Sequence, residues 1–281
     1  FSLANVSSCG TLRQNNTYYV LNSNLISGSA GNCIEIRGNN LILDGQSKYT
    51  LVGGGQNLGD GVPVYGDSNL IMNLNMTGYN YGIFVSYLSN GNTLSGNIIN
   101  NSGFAGIYIA PGSNQNILVE NKINLHPNGI YVDSDSINNQ IIRNIITHSN
   151  SNAITLYSDS INNLVFDNII NHAYNGIYVY NKSNYNNFTR NLIDNSTLYS
   201  LYIFNSSHNS FTDLVIRNSR GNGVVFVGNN LINYFKNVSV ELGNSSNYDL
   251  RVDSSDSFIE LTDSYFSSYR LNNTFSSFAS F

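Results

Sequence analysis

Three carboxylates stand closest together in the chain's polar turns. Asp133 and Asp135 belong to one turn, and Asp159 occupies its twin, since Ser134-Asp135-Ser136-Ile137-Asn138-Asn139 repeats as Ser158-Asp159-Ser160-Ile161-Asn162-Asn163. Paired carboxylates are what glycoside hydrolysis needs, one as acid and one as base or nucleophile on either side of the scissile bond. The same oxygens could hold Ca²⁺. The plain alternative is that Asp forms such turns through hydrogen bonds to its own backbone, and Lys182 follows in the same slot of the next turn. The structural turn is preferred, with Asp133, Asp135 and Asp159 kept as candidate acids and Ca²⁺ as the one candidate ion; no other cofactor or metal is expected.

A second charged set is more regular. Glu120, Arg143, Asp167, Arg190 and Asp213 alternate in sign through five successive repeats. Opposite charges on neighbouring strands support each other weakly and oppose register slips, so this column reads as structural. His126, His148 and His172 approach one corner of three successive repeats. Their offsets differ and no Met, Cys or near carboxylate joins them, so they read as solvated corner residues rather than a copper or zinc site.

Aromatic residues form the other candidate surface. Phe84, Tyr108, Tyr131, Thr155, Tyr178, Tyr202 and Val225 share one outward slot, and Tyr157, Tyr180 and Phe204 lie two residues further on. Such a ribbon suits sugar rings or another protein, and it also suits tyrosines that merely stack on one another along strands. Phe84, Tyr108, Tyr131, Tyr157, Tyr178, Tyr180, Tyr202 and Phe204 are the predicted ligand or partner face.

What positions all of these is a repeat. Gly-φ-x-φ, a polar turn, then Asn-x-φ-x-x-Asn-x-φ recurs with its first residue at Gly82, Gly106, Gly129, Ala153, Gly176, Ser200 and Gly223, spaced 24, 23, 24, 23, 24 and 23 residues apart. This period, with period-2 apolar pairs and no helical pattern, predicts an all-β parallel solenoid with three short strands per coil. The inward columns are Ile83/Val85 to Val224/Phe226 on the first strand, Leu94 to Phe235 on the second and Ile99 to Val240 on the third. Two Asn columns, Asn92 to Asn233 and Asn97 to Asn191, bracket the second strand and read as corners, where Asn tolerates left-handed geometry and amides stack. Leu214 and Val238 break the second column.

Residues 1–32 are expected to hold a polar lead-in, with Tyr18-Tyr19-Val20-Leu21 and Leu25-Ile26 as the first strands and N-terminal cap. Coils run over 33–245, with a flexible insertion at Gly53-Gly54-Gly55. Residues 246–281 hold a last coil and an aromatic segment, Tyr265, Phe266, Tyr269, Phe275, Phe278 and Phe281, that caps the end or pairs with another copy. Cys9 and Cys33 lie 24 residues apart, about one coil, and adjacent coils bring such residues within disulfide reach, with two buried thiols the alternative.

Composition narrows the partners. Charged residues make up only 10%, Asn contributes 51 positions, and the formal net charge is -5 with no basic cluster. That pattern excludes nucleic acid and anionic membrane surfaces as the main target. No apolar run approaches 18 residues and no leader pattern is present, so neither a span nor a signal peptide is predicted within these residues. Eleven Asn-x-Ser/Thr sequons occur, a number so Asn-rich a chain reaches by chance; Asn181, Asn187 and Asn205 are the glycosylation candidates.

The repeat, as in Asn139-Gln140-Ile141 to Asn144-Ile145-Ile146, resembles right-handed parallel β-helix proteins of the NosD-like, carbohydrate-binding and sugar-hydrolase group. Cys9-Gly10, Cys33 and Asn40-Leu41-Ile42-Leu43-Asp44-Gly45 are similar to the first coils of secreted and archaeal surface members. The resemblance implies the fold and spans enzymes, binding proteins and structural proteins. The Asp-Asp, His-Gly and Arg-x-Lys signatures of pectin-hydrolysing β-helices are missing, and no copper ligand set carries over. The expected function is a non-catalytic extracellular or cell-surface module, structural, adhesive or self-assembling into a filament or layer with itself or other surface proteins. The alternative is a polysaccharide-binding or polysaccharide-degrading protein, lyase or hydrolase.

Overall fold

The computed structural model describes residues 1–28, 31–243, 247–253, 257–271 and, for the backbone, 277–280. Every strand pairing given for them is parallel, and no helix occurs among the described residues. One coil illustrates the rest. Ala105–Ile109 forms its first strand, Ile117–Val119 its second and Lys122–His126 its third, and each stacks on its equivalent in the next coil. The second strands build a thirteen-stranded sheet. First and third strands share a twenty-stranded one, because Ile145–Tyr157 and Ile169–Tyr180 run around the corner without a break.

Strands this short survive because each is paired on both edges and buries one side chain in every two. Ile107 sits over Ile83 and under Ile130, Leu118 over Leu94 and under Ile141, and Ile123 over Ile99 and under Ile146. All of these are buried, and the columns merge into one continuous core. The opening glycine admits the third strand. A Cβ at Gly106 would lie 2.4 Å from Ile123 Cγ2 and 2.9 Å from the Gly129 carbonyl, so a side chain there displaces one or the other.

Both Asn columns are buried, and they are not the left-handed positions. Positive φ falls on the residue before the Asn: Gln115, Asn138, Asn162, Tyr185 and His208 at one corner, and Glu120, Arg143, Asp167 and Arg190 at the other, with Asp213 in the same slot before Leu214. The Asn that follows has its side chain turned inward. Asn116, for example, receives an amide bond from Asn92 and gives its Nδ2 to the Ser89 carbonyl at 3.1 Å. Backbone groups freed by each corner are thereby satisfied inside the coil. A buried serine column, Ser89, Ser113, Ser136, Ser160, Ser183 and Ser206, runs beside the first Asn column and supplies the carbonyls that it binds.

At the N-terminal end the expected first strands are present, at Thr17–Leu21 and Leu25–Ile26. Ser2–Val6 stacks on Thr17–Leu21, and Gly10–Leu12 on Ile34–Ile36, so residues 1–32 already contribute rungs. Cys9 and Cys33 are disulfide-bonded across adjacent coils, with Cα atoms 4.5 Å apart. At the other end Leu250–Asp253, Ser257–Thr262, Tyr269–Leu271 and Ser277–Ser280 extend the sheets beyond a single last coil. Of the aromatic segment, Phe275 and Phe281 lie outside the described residues, and only the backbone of Phe278 is described.

Candidate functional site

Alternation on the first strand sends Ile107 and Ile109 inward and Tyr108 outward, and parallel register repeats that choice on each rung. The outward rings therefore meet. Phe84 stacks on Tyr108 at 5.5 Å, Tyr108 on Tyr131 at 5.5 Å, Tyr157 on Tyr180 at 5.2 Å, Tyr178 on Tyr202 at 4.7 Å and Tyr180 on Phe204 at 4.7 Å. Where Thr155 interrupts the slot, Tyr131 passes the contact to Tyr157 at 5.9 Å. All eight predicted aromatics are thus one uninterrupted stack. Tyr81, Phe104 and Tyr199 join it, and because Tyr81 and Phe104 enter before the slot while Tyr157, Tyr180 and Phe204 lie after it, the band crosses the face obliquely. Thr155 and Val225 are buried and contribute no surface.

Ring faces are taken up by neighbouring rings, so ring edges and phenol hydroxyls face outward. Burial raises the Tyr108, Tyr131 and Tyr178 phenols well above their ordinary range, and the Asp133 carboxylate raises Tyr108 and Tyr131 further. These hydroxyls stay protonated and work as neutral donors and acceptors. The Tyr108 hydroxyl donates to Asp133 Oδ2, while Ser134 donates its N–H and Oγ–H to Asp133 Oδ1 at 2.7 and 3.0 Å.

Sequence reasoning missed Asp60. It opens the strand Asp60–Val64, pairs in register with Tyr81, and is pushed up to about 6 by burial, partly offset by a hydrogen bond from the Tyr81 amide. Nothing in the repeat marks it, because its coil follows the Gly53-Gly54-Gly55 insertion and lacks the standard motif. Arg37 lies over the Tyr65 ring at 4.2 Å and pairs with Glu35 at 3.1 Å. The Asn32 side chain, and then Arg37, hold Glu35 below its usual range.

The three candidate acids do not converge. Asp133 is half-buried in the aromatic band, whereas Asp135 and Asp159 occupy one left-handed turn slot on adjacent rungs, with Lys182 in the next. Asp60 and Asp133 stand three rungs apart, about 14 Å along the axis at ~4.8 Å per strand, beyond the roughly 5 to 9.5 Å that a hydrolase pair spans. Among the described residues no three of His, Cys, Asp and Glu gather into a metal-holding group.

The histidine expectation is corrected for His126. It is buried, with Nδ1 accepting from the Ser102 amide at 3.0 Å and Nε2 on the Ile99 carbonyl at 3.1 Å, and burial lowers it to about 4. His126 shares its register with Ser149 and Ala173, one residue inward of the corner where His148 and His172 stack at 5.1 Å. The charge column resolves into Arg143 with Glu120 at 2.8 Å and Arg190 with Asp167 at 3.2 Å, while Asp213 accepts from Asn237. Asn181 donates to Ser158, Asn205 accepts from the Asn229 amide, and Asn187 is exposed with its Oδ1 accepting from Thr189 at 2.7 Å.

The band is a surface and not a hole. A concavity of about 930 Å³ lies elsewhere, near the C-terminal rungs between Arg217, Glu241, Asp249 and Ser267. No helix among the described residues is long and apolar enough to cross a membrane.

Residues 55–193 match the family model of the right handed beta helix region, and the described residues share that fold. Two similar solved structures are the A-modules of mannuronan C-5 epimerases AlgE4 and AlgE6 from Azotobacter vinelandii. AlgE4 is 11% identical, with a TM-score of 0.76 over 99% of this chain and 89% of that one. AlgE6 is 13% identical, with a TM-score of 0.73 over 99% and 87%. The Dettilon tailspike protein, 14% identical, gives a TM-score of 0.63 over 96% of this chain and 59% of its own. At these identities the likeness is one of fold. No curated protein matches by sequence.

Proposed function

We propose that this chain binds polysaccharide along the oblique aromatic band on the outer face of its first strands. The observation that carries the reading is the unbroken run of rings from Tyr81 through Tyr108, Tyr131, Tyr157 and Tyr180 to Phe204, edged with phenol hydroxyls. Each rung advances ~4.8 Å, close to the length of one pyranose unit in an extended chain. A polymer lying on the band would meet the same combination of apolar ring edge and hydroxyl at every sugar, and such a surface suits a repeating ligand better than a small molecule. The epimerase modules named above act on a polysaccharide by their titles and share this fold, which supports the reading by analogy. The disulfide fits an extracellular or cell-surface setting.

Binding is preferred to turnover because the two carboxylates half-buried against the band, Asp60 and Asp133, stand too far apart to serve as acid and base. Affinity electrophoresis against a polysaccharide panel, with the native chain and Tyr131→Ala and Tyr178→Ala, tests it. Retardation by at least one polymer, weakened at least fivefold in each variant, is expected; equal migration of all three proteins on every polymer would sink it. Release of reducing ends or unsaturated products from the same panel would show an enzyme instead.

A structural, self-assembling module is the second reading. Its supporting observation is a set of exposed aliphatic residues in one slot of the third strands, Ile98, Ile145, Ile169 and Val215, interrupted by Lys122. Concentration-dependent assembly abolished by Ile145→Ser with Ile169→Ser would favour it.

A further inference from the structure

The charges on the band point to the class of polysaccharide, an inference that rests on the band being the glycan face. From the strand Asp60–Val64 to the strand Tyr199–Phe204, the only outward charged residue within the first strands is Asp60, and Asp133 directly follows its strand. Cations stand only beyond these limits. Arg37 is held by Glu35 and the Tyr65 ring at one end, and Arg251 by Asp253 at the other. Lys182 is exposed in the turn beyond Tyr180, off the first strands and two rungs past Asp133.

We propose that the band selects neutral, hydroxyl-rich polysaccharides over polyuronates and other polyanions, with Asp60 and Asp133 accepting hydrogen bonds from sugar hydroxyls. A polyuronate laid along the axis carries one carboxylate per sugar and so about one per rung. Wherever such a chain crosses the Asp60 and Asp133 rungs, like charges face each other with no free cation between them, in surroundings that the rings keep poorly hydrated. Asp60 is already in a position where burial opposes ionisation. A neutral sugar meets the same groups favourably. An ionised carboxylate offers about four acceptor sites; Asp133 has three donors, from Tyr108 and Ser134, and Asp60 takes the Tyr81 amide, so each keeps capacity for a sugar hydroxyl. The hydroxyls of Tyr131, Tyr178 and Tyr202 extend the same neutral chemistry along the band.

The full chain is run by affinity electrophoresis through gels containing mannan, mixed-linkage β-glucan, polymannuronate or chitosan, at low and at physiological salt. At least one neutral polymer is expected to bind tenfold or more tightly than polymannuronate at low salt. That gap narrows as salt rises, because repulsion is screened while neutral binding is not. Asp60→Asn with Asp133→Asn, which keeps side-chain size, is expected to shrink the gap at least threefold; circular dichroism confirms the fold of the variant. Polymannuronate binding as tightly as any neutral polymer, chitosan binding more tightly than all of them, or a gap unchanged in the double variant overturns the specificity. If Tyr131→Ala still weakens binding in those cases, the band remains the glycan face. Absence of binding to every polymer overturns both readings together.

Discussion

Asn121 is bonded twice to Asn144: its backbone N–H and its side-chain Nδ2 both donate to Asn144 Oδ1, at 3.0 and 2.9 Å. Asn144 repeats the arrangement on Asn168, at 2.9 and 3.0 Å, and sends its own Nδ2 to the Leu118 carbonyl at 2.9 Å. One side chain therefore satisfies the donor of the coil before it and the acceptor of the strand beside it. Burial makes these bonds matter, since a buried polar group without a partner costs far more than a made hydrogen bond gains.

Asn144→Leu should open this corner. It orphans the Asn121 N–H and takes its amide partner from the Leu118 carbonyl, whereas Asn121 Nδ2 keeps the Leu94 carbonyl and Asn168 Oδ1 keeps the backbone N–H of residue 144. With ~1 to 3 kcal/mol per buried orphan and some relaxation, about 3 kcal/mol of local stability is expected to go. Hydrogen exchange read by mass spectrometry should speed up over residues 116–170 and leave the terminal rungs alone, as nearest-neighbour coupling in a solenoid requires. Unchanged exchange there would mean that the ladder is ornamental.

Alkaline titration reports on the band. The phenols of Tyr108, Tyr131 and Tyr178 are raised above the ordinary value near 10 mainly by burial, so above pH 10 the folded chain binds more protons than the unfolded one. Stability attributable to these groups is complete below pH 10 and is lost as pH climbs past it. Absorbance at the phenolate band should show the band tyrosines ionising only with cooperative unfolding. A single transition near pH 10 with the fold retained would contradict the packing described.

The core was legible in the residues because burial repeats: a slot that holds Ile107, Ile130, Ile154 and Ile177 at one fixed period can only be an inward column. Asn columns were legible for the same reason, yet their mechanism was misread, since the left-handed φ belongs to Glu120 and Arg143 and not to Asn121 and Asn144. Sequence shows that a corner exists, but backbone geometry decides which of two adjacent residues turns it. Asp60 escaped notice because the Gly53-Gly54-Gly55 insertion displaces its coil from the period, Tyr81 because it stands one residue before the repeated Gly-φ-x-φ slot, and His126 because one residue of offset separates an inward from an outward side chain at a corner. The charge column was read correctly in sign and too generously as a ladder. Its two ion pairs are exposed, where such pairs contribute ~0 to 1 kcal/mol.

Acidification should act through His126. Burial lowers it to about 4 from an ordinary value near 6.5, so between those limits the unfolded chain binds more protons and stability falls as pH falls. The full loss, reached below about pH 4, is about 3 kcal/mol from a shift of this size at ~1.4 kcal/mol per unit. Exchange of the Ser102 amide, which donates to His126 Nδ1, should accelerate below pH 5 beyond its intrinsic rate. In His126→Ser, matching Ser149 at the same position of the next coil, that pH dependence should vanish. Its persistence would assign the acid sensitivity to another group.

Reduction of the Cys9–Cys33 bond should be felt only at one end. The bond ties Gly10–Leu12 to Ile34–Ile36, the first pair of rungs on the first-strand face, and both flanking columns, Leu12 and Ile36, are buried. Removing a native disulfide typically costs ~2 to 4 kcal/mol, but in a stacked fold that loss reaches distant coils only through each intervening interface. Cys9→Ser with Cys33→Ser should therefore raise hydrogen exchange over residues 1–44 while Ile141, Val165 and Phe188 keep native protection. Glycan binding on the band should change little at Tyr131 and Tyr178, many rungs away, and more at the Arg37 and Tyr65 end. Uniform loss of protection along the whole chain would show instead that the first rungs nucleate the stack, and that the coils fold as one cooperative unit from the disulfide upward.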